Sequence, residues 1–238
     1  GGPPPRAPAA APPPRPGPAG RSFLVVVQEF LLVRPNMPFM SNERILQRNP
    51  EVAEALVGAT GRLMERFGYR KTSIEEIALE AGVSRATAYL YFPSKEAMLR
   101  AWIDRRGRER FAVLRAIVDS EPDPVRRVRE VMLRRIEFSL DGARSWGDRI
   151  DELLVAIRLA PEEWRRELLQ EETALLVDTL ALPCFRCPVS PQATVELLSL
   201  ATQGILYNHL GRDRLDDRDE IRQQAEQLID LLLRGIVR

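Results

Sequence analysis

The sequence predicts an all-α protein, and three observations carry that prediction. Apolar residues recur at spacings of three, four and seven along most of the chain, the signature of helix faces. Ser and Thr stand where helices would begin, Thr72 and Ser73 with Glu three positions on, and Gly or Pro stands where they would end. The stretch from Thr72 to Lys95, TSIEEIALEAGVSRATAYLYFPSK, reads as two short helices joined by a tight turn. The 238 residues suffice for one large or two small domains with a real core.

Residues 1–20 are nearly all Pro, Ala, Gly and Arg, a composition that buries too little to offset chain entropy. Residues 23–33 (FLVVVQEFLLV) are apolar, with Arg15 and Arg21 ahead of them, which raises the possibility of a signal peptide. No small-residue cleavage site follows, and Met37 and Met40 stand as natural starts. Residues 1–40 are therefore expected to form an extension, and the first 36 to carry no function of their own. Arg44 and Arg48 could form an arm that touches phosphate, although a solvated lead-in explains them as simply.

The first helix is expected over Glu51–Phe67, where Val52, Ala55, Leu56, Ala59, Leu63 and Phe67 line an apolar stripe closed by Gly68. Thr72 and Ser73 both suit an N-cap, with Glu75 and Glu76 three positions on, so either register gives a capping box. Gly82 ends that second helix in the left-handed conformation, Ser84 caps a third from Arg85 to about Phe92, and Pro93 stops it. Small residues at Ala78, Gly82 and Ala88 let the second and third helices cross closely. The result is a helix-turn-helix, whose second member lies in the DNA major groove.

On that member Ala88 points inward, and Arg85, Thr87, Tyr89, Leu90 and Tyr91 are offered outward. An Arg can fork onto guanine, apolar groups can meet a thymine methyl, and hydroxyls can reach phosphate. Lys95, in the first turn of the next helix, is placed to reach a backbone phosphate. Charge gives this reading no help: the whole chain stands at +1, and Glu51–Asp104 carries seven basic and eight acidic side chains.

The same stretch resembles the DNA-binding domain of the tetracycline-repressor (TetR) family, whose usual text runs close to T-S-x-x-x-I-A-x-x-A-G-V-S-x-G-T-L-Y-x-Y-F-P-S-K-E. The match includes Thr72, Ser73, Ile77, Ala78, Ala81, Gly82, Val83 and Ser84, then Thr87, Tyr89 and the run Tyr91–Glu96. It departs at Ala86 for Gly, Ala88 for Leu and Leu90 for a frequent His. The resemblance implies DNA contacts from Thr72, Ser73, Ser84, Arg85, Ala86, Thr87, Tyr89, Leu90, Tyr91 and Lys95. It also implies a homodimer on a palindromic operator in double-stranded DNA, released by a small molecule held in a C-terminal helical domain.

From Ser94 the helical pattern continues. A long connecting helix is expected first, with a break at Pro122–Pro124, then Val125–Leu140 ended by Asp141–Gly142, then Ile150–Leu159. A helix opened by Pro161 runs to about Leu182, and Thr194–Leu210 and Asp219–Val237 finish the chain. The last two helices have apolar sectors wider than one core needs, which a four-helix bundle across a two-fold axis explains. Leu198, Ile205, Leu228 and Leu232 are the expected contacts. Burial of both faces within one subunit is the alternative. The domain division is then 1–40 extension, 41–93 DNA-binding, and 94–238 ligand-binding and dimerisation.

Trp102, Trp146, Gln203 and Tyr207 are candidate ligand contacts, against core packing as the default for aromatic residues. His209 and Asn208, with Tyr207 and Gln203, are polar groups that could read a ligand inside the bundle, and solvation at a helix end closed by Gly211 explains His209 and Asn208 equally well. Glu162–Glu163 and Glu171–Glu172 read as exposed helix faces. Cys184-Phe-Arg-Cys187 suggests a redox switch or half a zinc site, but His209 is the sole histidine and structural zinc takes four ligands. Two plain loop cysteines are the simpler reading. No Gly-rich phosphate loop, nucleophile elbow or His-rich zinc spacing is present, so no enzyme activity, cofactor or metal is expected, the alternative being a helical enzyme or scaffold with an incidental helix-turn-helix. No apolar run approaches a membrane span, and a cytoplasmic protein is expected.

Overall fold

A computed structural model describes residues 49–210 and 217–238, and among these the fold is helical throughout, with one isolated β-bridge between Phe185 and Val237. The extension over 1–40 and the arm with Arg44 and Arg48 lie outside the described residues, as do the side chains of Tyr207 and Asn208. Three short helices open the described chain: α1 (Pro50–Phe67), α2 (Ile74–Glu80) and α3 (Arg85–Tyr91). The long α4 (Lys95–Ser120) follows, then α5 (Pro124–Trp146), a 3-10 turn and α6 (Ile150–Leu159). The rest are α7 (Glu162–Leu180), α8 (Pro191–Leu210) and α9 (Arg218–Ile236).

The starts and stops follow local chemistry. Asn49, Ser73, Ser84, Ser94, Asp123 and Asp217 each accept a backbone N–H in the first turn of the helix they precede, satisfying donors that would otherwise lack a partner. At Ser73 the capping box is complete: Glu76 N–H donates to Ser73 Oγ, and Ser73 N–H donates to the Glu76 carboxylate at 2.8 Å. Ser73, and not Thr72, therefore sets the register. Two expected ends move. Gly142 does not stop α5, which continues to Trp146 because Ala143 and Trp146 are buried and a mid-helix Gly costs only about 1 kcal/mol. The start of α8 lies at Pro191, earlier than Thr194.

Two apolar cores result. The first gathers Leu56, Met64, Ile77 and Phe92 from the three short helices and their exit, then Met98 and Trp102 from the head of α4, and Trp146 and Leu153 from the end of α5 and from α6. The second is built by the tail of α4, most of α5, and α7 to α9. Helix α4 belongs to both, with Met98 and Trp102 in one and Leu114 in the other. Its 26 residues make a rod of roughly 39 Å. Gly61 on α1 lets that rod approach: a Cβ there would stand 2.2 Å from Trp102 Nε1.

Candidate nucleic-acid interface

The helix-turn-helix forms as its sequence requires. Beyond α2, Gly82 takes φ +71°, Val83 N–H reaches back to Ala78 O at 2.9 Å and Gly82 N–H to Leu79 O at 3.1 Å. These are the paired bonds of a Schellman turn, and Val83 packs on the same core as Ala78. Ser84 Oγ then accepts Thr87 N–H at 3.0 Å and shares a further hydrogen bond with the Thr87 hydroxyl at 2.8 Å. Helix α3 is thereby held at its start by a cap and at its flank by the fully buried Ala88.

What remains outward is specific. Arg85 has a side chain 63% exposed, Leu90 is 62% exposed and Tyr89 42%, with Ala86 exposed beside them. Arg85 Nε donates to Glu75 Oε1 on α2 at 2.8 Å, and its guanidinium stands 5.5 Å from the centre of the Tyr89 ring. Tyr89 and then Glu75 hold the guanidinium above its usual pKa, so it is charged at any physiological pH. Glu75 and Tyr89 together aim the side chain. Glu75 was absent from the expected contacts; its position ten residues before Arg85 gave no signal without the turn geometry.

Two expected contacts are corrected. Tyr91 is buried, one helical turn beyond Ala88 on the inward face, and packs in the first core. Thr72 is buried too, its hydroxyl donating to Gly68 O at 2.8 Å. Ser73 and Ser84 spend their hydroxyls on helix caps. Lys95 is partly committed: its amine donates to Tyr69 O at 2.8 Å and Thr72 O at 3.1 Å and lies 4.4 Å from the Tyr69 ring centre. One of its three donors stays free. Tyr69 also donates to Glu96 Oε1 at 2.6 Å, which holds the Glu96 carboxyl low while burial raises the phenol. This tie fixes the turn before α2 to the first turn of α4.

The C-terminal candidates divide differently. Trp102 and Trp146 pack against each other in the first core with ring centres 5.8 Å apart. Gln203 is half-buried on α8. Leu198 is buried within the subunit, which corrects it as an outward contact, and half-buried Ile205 and Leu232 also touch the second core. The apolar residues that do stand outward are one position away: Leu197 at 57% and Leu231 at 66% exposed, with half-buried Leu200 and Leu228 beside them. Gly204 and Gly235 continue those two faces, and a Cβ at either would meet nothing within 4 Å. Cys184 and Cys187 are both free and half-buried. His209 is buried, its Nε2 3.0 Å from Gln224 Oε1, which corrects the solvated reading.

Glu172 is the largest miss. It is buried on α7 and takes guanidinium groups from Arg110 of α4 and Arg135 of α5. Burial pulls the Arg135 pKa down and Glu172 opposes that shift. No helix of the described residues is long and apolar enough to cross a membrane.

Comparison with known proteins agrees with this geometry. Residues 56–102 match the bacterial regulatory proteins of the tetR family. The HTH-type transcriptional regulator EthR of Mycolicibacterium smegmatis is 38% identical over 76 residues, 32% of this chain and 35% of that protein. The HTH-type transcriptional regulator RutR of Escherichia coli is 26% identical over 163 residues, 63% of this chain and 71% of that protein. The chain thus spans about a third of the EthR length. The crystal structure of the transcriptional regulator FadR from Bacillus subtilis, in complex with stearoyl-CoA, shares the fold with a TM-score of 0.60 at 16% identity, over 76% of this chain and 98% of FadR.

Proposed function

We propose that this chain, which belongs to the tetR family of bacterial regulatory proteins, binds a palindromic operator as a homodimer and is released by a small molecule. The observation that carries the reading is the outward set Arg85, Ala86, Tyr89 and Leu90 on a helix whose other side is locked into the core. Two such helices in a dimer enter successive major grooves, about 34–36 Å apart. Arg85 forks onto a base edge, Leu90 meets a thymine methyl, and the free donor of Lys95 reaches phosphate. In this reading residues 41–93 recognise DNA, residues 94–238 sense and dimerise, and the protein works in the cytoplasm.

The dimer joins the outward faces of α8 and α9, with Leu197, Leu228 and Leu231 packed across the axis and Gly204 and Gly235 permitting close approach. Leu231→Asp should convert the dimer to monomer in light scattering without loss of helicity; a dimer unaffected by that charge removes this face from the proposal. FadR is a fold relative shown with a bound acyl-CoA, and a ligand held against α4 is the corresponding expectation for this chain. The ligand can change operator affinity only as far as it prefers one spacing of the recognition helices over the other.

Selection of operator sequences from a random DNA pool tests the reading. An enriched palindrome is expected, and a pool without enrichment overturns it. On the selected site Arg85→Ala or Tyr89→Ala should cost about 1–3 kcal/mol of binding and relax specificity at one position. Lys95→Ala should weaken all sequences alike and reduce the salt slope by about one.

A further inference from the structure

The cleft between α4 and α7 carries chemistry of its own. Asp104, Gly107, Arg108 and Phe111 line one wall, four positions on a single face of α4. Trp164, Glu167, Glu171 and Glu172 line the other from α7, around a volume of about 220 Å³. Four carboxylates therefore face one guanidinium. Glu172 is already matched by Arg110 and Arg135, which leaves Asp104, Glu167 and Glu171 facing Arg108 among the described lining residues, with Arg100 also acting on Asp104.

The aromatic part is as well defined as the charge. Trp164 is 2% exposed, and its Nε1 donates to Asp104 Oδ1 at 2.6 Å. That bond fixes one carboxylate oxygen of Asp104. Burial pushes the Asp104 carboxyl above the usual range, with the Trp164 bond and Arg108 opposing. Holding a negative charge at that depth is costly, and a cation brought beside it would recover the cost. Phe111 adds a second ring to the wall. A ring face attracts a cation, and a flat apolar body can lie against it.

We infer that the α4–α7 cleft binds a small organic cation with an aromatic body, an arylalkylammonium in chemical class, whose ammonium group sits between Asp104 and the Glu167–Glu171 edge. The inference rests on the ligand-responsive reading above and adds the class of effector. An anionic ligand of the same size would meet a lining in which carboxylates outnumber guanidinium groups. A purely apolar one would leave that excess unmatched. Because Asp104 and Phe111 lie on the helix that also enters the first core, occupation of the cleft acts directly on the element that carries the DNA-reading end.

Three probes with one body and different heads test this on the full chain: 2-phenylethylammonium, 2-phenylethanol and phenylacetate. Calorimetric titration should give binding by the ammonium, weaker binding by the alcohol and weakest by the carboxylate. Asp104→Asn keeps the acceptor for Trp164 and removes the charge. This variant, and the Glu167→Gln/Glu171→Gln pair, should each weaken the ammonium by roughly tenfold and leave the alcohol unchanged. Alcohol or carboxylate binding as tightly as the ammonium overturns the inference, as does an ammonium that fails to bind or is indifferent to both variants. If the pool selection yields an operator while the ammonium shows no preference, the effector class is wrong and the regulator reading stands. If no operator is selected, the regulator reading fails on its own account.

Discussion

The two cores of this molecule are built on different principles. The first is almost wholly apolar, with Thr60 and Thr72 its buried polar side chains, and each of these returns a hydrogen bond to the backbone four residues earlier. The helices around the second bury Arg135, Glu172, Thr179, Thr194, Ser199, Thr202 and His209. An apolar core has one good packing, and it presents α3 in one orientation. A core with buried ions is held by partnerships that can be broken one at a time, and its stability depends on every partner being present. The end that carries α3 is thus held by one packing, and the half with the cleft by separable partnerships.

The contrast can be broken most severely at Glu172. Glu172→Ala leaves Arg135 buried beside Arg110 with no counter-charge, and should lower unfolding free energy by about 3–5 kcal/mol in denaturant titration. A loss within experimental error would mean the triad is not a structural tie. The matching insult to the first core is Gly61→Ala, which drives a methyl into Trp102 and should cost about 1–3 kcal/mol. Its operator affinity should fall further than its stability alone explains, because α1 and α4 would shift against each other. Ser73→Ala removes half of the capping box and should cost about 1 kcal/mol by thermal melting.

Acid sharpens the same comparison by sign. Burial raises the Asp104 carboxyl, so the folded protein takes that proton more readily than the unfolded chain does. Its cost to stability is present above the raised pKa and is relieved as pH falls through it. Glu96, held low by the Tyr69 hydroxyl, and Glu76, held low by Ser73, work the opposite way. Their contribution is complete above the ordinary Glu range and is lost as pH falls through their lowered values. Asp104→Asn should therefore remove the mild-acid gain around α4 and α7 and leave the stronger-acid loss around α2 untouched. Stability measured from neutral pH down to about pH 3 separates the two.

Much of the first region was legible in the sequence because its signals are local. Ser73, Gly82, Ser84 and Pro93 act within one turn of where they stand, and the helices begin and end accordingly. Tyr91 was misplaced although the signal was there: it lies three positions after inward Ala88, on the same face, and only its tyrosine chemistry suggested otherwise. Glu172 was not legible, since two adjacent glutamates on a helix look solvated and its partners lie 37 and 62 residues away. Leu198 and Leu197 exchanged roles because the run Glu196-Leu197-Leu198-Ser199-Leu200 fits two helical phases equally well. A side chain's direction within an all-apolar stretch is settled by packing partners, which spacing does not encode.

The continuous rod of α4 has a geometric consequence. A joint between the cores would absorb small displacements, but an unbroken helix amplifies them. A tilt of about 5° pivoting near Ser120 carries the Lys95 end sideways by roughly 3 Å. In the proposed dimer, mirrored across its dyad, that is enough to put two reading heads out of step with the pitch of the double helix.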